Sequence, residues 1–531
     1  AGVGISPQIS ATGWAAIANW ASGTRVIDDL GGVTTLPAAR LAASYPIGDT
    51  PFRWSATDGA GQTTTVQSTL HVYAPATNVT LKVTDTAGNP LPNVRIAALA
   101  RSSYAVVSLV DQNGNNRTDA AGQLLPAALD PGESYLLSFV SGDRYADGLL
   151  AGGNVVSSYQ GAQAVTPASN GVVTAAMEGG AGRIAGQVVD GGGAAIPYAR
   201  VDVAPLPYSE LGAHLVTVAD SQGDFSASVP PGDYYVMAAG STIDPAIAAE
   251  QPLASMLAGG FYTADYAPVS PYSSAAGRVT VTAGTTRAVY MQLATGGLIA
   301  GRVTTTAGTP AVNMRVNLEP YGVAGAHRFT AVTDLNGVFQ RNLPPGEYRI
   351  AATGVVFDPV SHSEQGIAGG WVGGYLSDGS GTLSWNTSAA LIHPLAAGGQ
   401  RVVTLTLTPG GTIRGQVTPA VAARVRIFAR DGAGTITQRV FADAAGNYAI
   451  NMPAGTVRLV VDSYAMDART GQLTPLIGVV GGWVDANGIA QPLQAGAQAI
   501  ALSAGQTVTR NIQLNAGTPF DAAAVVGAYI P

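Results

Sequence analysis

The sequence predicts an all-β chain, a tandem array of about five antiparallel β-sandwich domains. Three observations carry that prediction. First, one short motif recurs: GRIAGQV at 182–188, GLIAGRV at 297–303 and GTIRGQV at 411–417, starting 115 and 114 residues apart. Its apolar residues (Ile184 and Val188, Ile299 and Val303, Ile413 and Val417) share one face of an extended strand. Second, turn-forming residues are dense, with 68 glycines and 32 prolines in 531 residues. No long segment shows the 3.6-residue period of an amphipathic helix. Third, 47% of residues are hydrophobic, enough for packed cores, while only 11% are charged, against about a quarter in ordinary domains. Ser, Thr, Asn, Gln, Gly and Ala must therefore cover most of the surface.

Each copy of the repeat reads the same way in order. After the opening strand come DSQGDF (220–225), DLNGVF (334–339) and DAAGNY (443–448), tight Asp-Gly turns whose aromatic starts the next strand. VPPGDYYV, LPPGEYRI and MPAGTVRL (452–459) follow, each a Pro-Gly turn entering a strand. GGFY (259–262), GGWV (369–372) and GGWV (481–484) read as a further shared loop, and a closing strand ends each unit. A more diverged copy precedes these, with DAAGQL at 119–124, DPGESYLLSF at 130–139 and AGGNVV at 151–156. The boundaries that result are 76–180, 181–296, 297–410 and 411–517, followed by an apolar extension over 518–531.

The order G-x-I-x-G-x-V, D-x-x-G-x-[FY], [LMV]-P-P-G-x-Y resembles carboxypeptidase regulatory-like domains. These belong with transthyretin-like and collagen-adhesin B-type sandwiches, so the resemblance implies immunoglobulin-like or transthyretin-like β-sandwiches over about 440 residues. Such domains are mostly structural or adhesive. Residues 1–75 differ. SYPIGDTPFRWSATDGAGQTTTVQSTLHVY (44–73) resembles the second half of a hyalin-repeat domain, an immunoglobulin-like module. Phe52, Trp54 and Ala56, then Val66, Ser68, Leu70 and Val72, alternate as two paired strands would.

Several chemistries are excluded or weak. There is no cysteine, so no disulfide, thiolate metal site or thiol nucleophile. A net charge of −7 with no basic cluster argues against nucleic acid, and no apolar run is long enough to span a bilayer. No zinc, serine-hydrolase or P-loop motif occurs, so no enzyme activity and no cofactor are expected. His214 and His327 occupy matching loops, which fits repeated architecture better than catalysis. One metal candidate exists: Asp111, Asn113, Asn115 and Asp119 stand at positions one, three, five and nine of a calcium-type loop. Gly122 replaces the bidentate Glu of position twelve, so the competing reading is a polar hairpin loop. The collagen-adhesin resemblance also implies an internal cross-link from a first-strand lysine. Lys82, the only lysine, and Asn170 are the one pair that could form it. Phe261, Trp371 and Trp483, after the double glycines, suit either a glycan-binding face or a core.

These readings point to a structural subunit of an extracellular bacterial filament or surface fibre. Its partner is a further copy of itself, joined by strand addition at the chain ends and by charge-poor sandwich surfaces. Val3, Ile5 and Ile9 in the alternating segment AGVGISPQIS, and Phe520, Val526 and Ile530 in the C-terminal extension, are the assembly candidates. The opening Ala1-Gly2-Val3 suggests a processed, secreted protein at the cell surface or beyond. The alternatives are a secreted adhesin that presents residues 1–75 to a host or glycan ligand, and a surface-layer protein.

Overall fold

The computed structural model describes residues 8–10, 25–27, 33–35, 48–57 and 63–73, and then 79–516 apart from certain loops. Those loops are 101–105, 110–114, 126–128, 131, 143, 157–161, 167–170, 207–214, 244–249, 324–327, 335, 359–362, 420–424, 433–436, 444, 467–472, 477 and 492. The described elements are β-strands with a few single 3-10 turns, as the strand periodicity requires. No helix among the described residues is long and apolar enough to cross a membrane.

The second repeat shows how the motifs make a sandwich. Gly182–Val189 lies between Asp224–Val229, antiparallel to it, and Thr286–Gln292, parallel to it. The facing sheet is built on Ala199–Pro205 and Gly232–Ile243, with Leu215–Val218 on one side. Ile184, Val188, Val201, Val203, Phe225, Val236, Val289 and Met291 point between the sheets and are buried. The fourth repeat repeats this plan around Ile413, Val417, Ile427, Ile450 and Leu459. The first repeat keeps the parallel pairing of its opening and closing strands, Thr80–Asp85 with Val172–Met177. Its core is built from Leu81, Val83, Ile96, Leu137 and Phe139.

The conserved spacing of the motifs has a physical cause: they touch one another. The N–H of the buried valine near the end of the opening strand donates to the carbonyl of the Asp-turn glycine. The pairs are Val83 to Gly122 (2.8 Å), Val188 to Gly223 (2.9 Å), Val303 to Gly337 (2.7 Å) and Val417 to Gly446 (2.9 Å). Each of those glycines has a φ between 70° and 82°, a conformation costly for other residues. The aspartate closes its turn by accepting two main-chain N–H groups, as Asp220 does from Gln222 and Asp224, and Asp443 from Ala445 and Asn447. In the Pro-Pro-Gly segment the tyrosine does more than enter the sheet. Tyr234 Oη donates to the Pro230 carbonyl (2.6 Å) and Tyr348 Oη to the Pro344 carbonyl (2.7 Å), so the ring locks the turn that precedes it.

In the N-terminal region Gly48–Thr57 and Thr63–Tyr73 form an antiparallel hairpin in which Phe52 faces Ser68 and Trp54 faces Val66, as the alternation predicts. Gln8–Ser10 pairs in parallel with the end of the second strand, Ile9 opposite Val72. That part of the N-terminal arm is therefore docked on its own chain.

The chain divides into two compact units. One comprises residues 1–352, 375–406 and 468–471, the other 353–374, 407–467 and 472–531.

One core position breaks the pattern. His393 faces Tyr348 across the ladder, where the second and fourth repeats place Val279 and Ile500. It is buried, and neither ring nitrogen has a hydrogen-bond partner. Burial, aided by the charge of Arg401, holds the imidazole down at about 4. A folded-state value below the ordinary 6.5 means that the neutral ring's contribution is complete above pH 6.5 and is lost as pH falls towards 4. Asp334 acts in the opposite sense. Burial pushes it up to about 6, so its protonation favours the folded state as pH falls through that value. His393→Val separates the two. It is expected to raise stability by about 1–3 kcal/mol at neutral pH by removing an unsatisfied buried group. It should also abolish the part of the acid destabilisation due to the imidazole. Thermal melts of both proteins at pH 7.5 and 4.5 test this, and equal losses on acidification would show that the ring is not the titrating group.

Candidate functional site: the joints between repeats

Each joint is built from two parts supplied by the sandwich plan. The trailing part is an arm, an extension of the long strand that follows the Pro-Gly turn. In the second repeat Ser241–Ile243 is the far end of that strand and pairs with Glu250–Pro252. In the third sequence repeat Val355–Asp358 pairs with Ser363–Gly366, and in the fourth Tyr464–Met466 pairs with Leu473–Pro475. The leading part is the edge strand of the following repeat, and its contact residue stands directly before the apolar-Pro step: Ser228, Asn342 and Asn451.

Asn342 is buried, and its Nδ2 donates to the carbonyls of Gly240 (3.0 Å) and Leu253 (2.8 Å). Within the second unit, Nδ2 of buried Asn451 donates to the carbonyls of Ile367 (2.7 Å) and Trp371 (3.0 Å). Its Oδ1 accepts from Thr412 Oγ1 (2.8 Å). Leu253 and Ile367 are equivalent, since each follows the returning strand of its arm. In both joints one asparagine amide clasps two main-chain carbonyls. One acceptor is equivalent; the other is Gly240, which also accepts from the Leu253 N–H (3.0 Å), in one joint and Trp371 in the other. Gln438 Nε2 adds a bond to the Thr353 carbonyl (2.9 Å), and Val355 enters the core of the fourth repeat.

The joint between the first and second repeats uses other chemistry at the same place. The Ser228 N–H donates to Asp147 Oδ2 (2.8 Å), and the Asp147 N–H donates to the Ser228 carbonyl (2.8 Å). Ser141 N–H donates to the other carboxylate oxygen (2.8 Å). Burial raises the Asp147 carboxyl above its ordinary range, and these main-chain donors oppose that shift.

The residues singled out in the sequence fall as follows. Asp111 and Asn113 lie outside the described residues, as do Val3, Ile5, Phe520, Val526, Ile530 and Asn170. Asp119 Oδ1 accepts from the N–H groups of Ala121 and Gln123 (both 2.9 Å), so it is the Asp of the shared turn, and Asn115 is exposed. No group of three or more His, Cys, Asp or Glu positioned to hold a metal occurs among the described residues. Lys82 sits half-buried between the core residues Leu81 and Val83, which places it on the outer face of its strand.

The double-glycine loops also need a correction. Gly260–Phe261 and Gly482–Val484 pair beside the long strand of their repeats, and in the third repeat Gly374–Leu376 takes that place. Tyr375, and not Trp371, is therefore the counterpart of Phe261 and Trp483. The identical letters GGWV misled because the third repeat has a second Gly-Gly four residues on. Trp371 instead pairs opposite Pro409, at the place of Leu257 and Val479, and lends its carbonyl to the clasp. Phe261 is buried against Tyr235, and Arg430 lies over Trp483 at 5.5 Å. The three aromatics do not form one face. The signal that the sequence carries for these joints is the asparagine ahead of Leu-Pro and Met-Pro.

Comparison with known proteins places these repeats in context. Residues 298–370 match the carboxypeptidase regulatory-like domain. No curated protein matches the chain. Among solved structures, the minor pilin GBS52 of Streptococcus agalactiae is 12% identical, with 43% of this chain and 98% of that one covered and a TM-score of 0.18. The major pilin subunit BcpA of Bacillus cereus is 10% identical, covering 64% and 100%, with a TM-score of 0.14. A putative carbohydrate-binding protein of Pseudomonas aeruginosa is 18% identical, covering 21% and 88%, with a TM-score of 0.13. What the comparisons identify is a domain family, the carboxypeptidase regulatory-like domain, at residues 298–370 of the third repeat.

Proposed function

We propose that this protein is a structural, non-enzymatic subunit of an extracellular bacterial filament or surface fibre that associates with further copies of itself. The observation that carries this reading is the joint. A buried asparagine clasp at Asn342 fixes the second sandwich to the third through main-chain carbonyls, and Asn451 holds residues 353–374 to the fourth repeat within the second unit. Such joints suit a load-bearing part, since each asparagine amide nitrogen removed from water donates to two main-chain carbonyls of the preceding segment. The small charge supports the same reading, because copies meet with little long-range repulsion. Electron microscopy of the purified full chain tests it. Fibres are the expected result. Sheets would favour a surface-layer lattice, and dispersed single particles at high concentration would favour an adhesin.

A further inference from the structure

The internal joints define what a covered trailing face looks like, and the fourth repeat ends in one that is uncovered. Three positions make the comparison. At the first position of the arm, Ser241 is 5% exposed and Val355 8%, whereas their equivalent Tyr464 is 43% exposed. At the second residue of the short strand that follows, Ala258 and Val372 are each 1% exposed, whereas Val480 is 43% exposed. Leu476 occupies the place of Leu253 and Ile367, whose carbonyls take the asparagine amide in the internal joints. A tyrosine and a valine thus stand in solvent where earlier repeats bury their counterparts against a neighbour.

The other half of such a joint belongs, in chain order, to the first repeat. Four repeats joined in series use three leading edges and three trailing faces, two of them arms, and leave one of each. The remaining leading edge is that of the first repeat, Gln123–Leu124, paired with Leu81 and Lys82. Directly after it Leu125 is 38% exposed, where the second repeat has the polar Ser226. The first repeat has no asparagine ahead of its Pro-Gly turn (ALDPG, 128–132), so this edge offers apolar contact in place of the clasp. An apolar edge and an apolar arm suit one another, and neither carries a charge that would oppose contact.

We infer that the trailing face of the fourth repeat, Tyr464 and Val480, receives the leading edge of the first repeat, around Leu125, from a second copy of this chain. The contact is head-to-tail, and because it uses two different patches it propagates from copy to copy, into an open filament wherever its rotation does not close a ring. The inference rests on the filament reading and names the surfaces that would make it.

The test uses the full chain and two surface variants, Val480→Asp and Leu125→Asp. Both positions are exposed, so the folded monomer tolerates the charge, and circular dichroism checks that it does. Placing an unpaired carboxylate in the contact is expected to weaken association at least about tenfold. In sedimentation velocity the wild type forms a concentration-dependent series, and each variant alone remains monomeric. An equimolar mixture of the two variants stops at dimers, because each partner supplies one intact face. A wild-type chain that stays monomeric, as it would if residues 518–531 covered the arm, overturns both this joint and the filament reading. Fibres that form equally well from the wild type and from Val480→Asp overturn the joint and leave the filament reading standing. A mixture that stays monomeric, or that polymerises beyond dimers, also overturns the assignment of these faces.

Discussion

Gly186→Ala is expected to unfold the second repeat. A methyl group there would stand 1.6 Å from the carbonyl oxygen of Val289 and 2.6 Å from its carbonyl carbon. Both are main-chain atoms of the parallel neighbour, so no side chain can turn aside to make room. Relief would require separating Gly182–Val189 from Thr286–Gln292 along a ladder that runs from Arg183 opposite Thr286 to Val189 opposite Gln292. We expect a loss of about 3 kcal/mol or more, at the upper end of overpacking effects. Limited proteolysis should cut within 181–296 while leaving the other repeats protected. Gly191→Ala is the control, since nothing lies within 4 Å of its added carbon. Similar melting curves for the two variants would refute the close-approach account. The same constraint holds at Gly301 and Gly415, where the nearest main-chain oxygens would be 2.4 and 1.9 Å away. This is why the motif keeps its middle glycine.

The second large effect is expected at the clasp. Asn451→Ala removes two donors from two carbonyls that the packed arm shields, at a cost of about 2–4 kcal/mol locally. Because the clasp acts on one arm and not on a whole repeat, a melting temperature is a poor readout of its loss. Hydrogen exchange of Val355–Asp358 and Ser363–Gly366 is the suitable one, and we expect their protection to fall while that of the core strand Gly411–Thr418 is retained. Asn451→Asp is the stricter variant. It preserves shape but sets an oxygen against the carbonyls of Ile367 and Trp371, so it should be at least as damaging as alanine. If Asn451→Asp exchanges like the wild type, the amide is not what holds the arm.

Much of the fold was legible in the sequence because sandwich strands write their burial directly into alternate residues. Ile184 and Val188, or Ile413 and Val417, could be assigned to a core from spacing alone, and they are buried. The hairpin around residues 48–73 followed from the same two-residue period. Turn chemistry was equally readable, because Asp-x-x-Gly encodes a local hydrogen-bond pattern that needs no distant partner. The GGWV correspondence failed for a related reason. Short identical strings carry no register: the paired Gly374 follows Gly260 by the same 114 residues that separate Pro230 from Pro344, and GGWV is an extra Gly-Gly four residues ahead of it.

By itself, then, the sequence determined that this is an all-β chain of repeated sandwiches, what their turns are made of, and where their cores lie. Those properties depend on neighbours close in sequence or on a fixed period. Only the tertiary structure decided what the asparagines before Leu343 and Met452 do. Their partners are carbonyls 80 to 102 residues earlier in the chain, and main-chain carbonyls exist at every position, so no residue type marks them in advance. The same holds for Tyr464 and Val480. Their exposure has meaning only beside Val355 and Ala258, equivalent positions that other repeats bury.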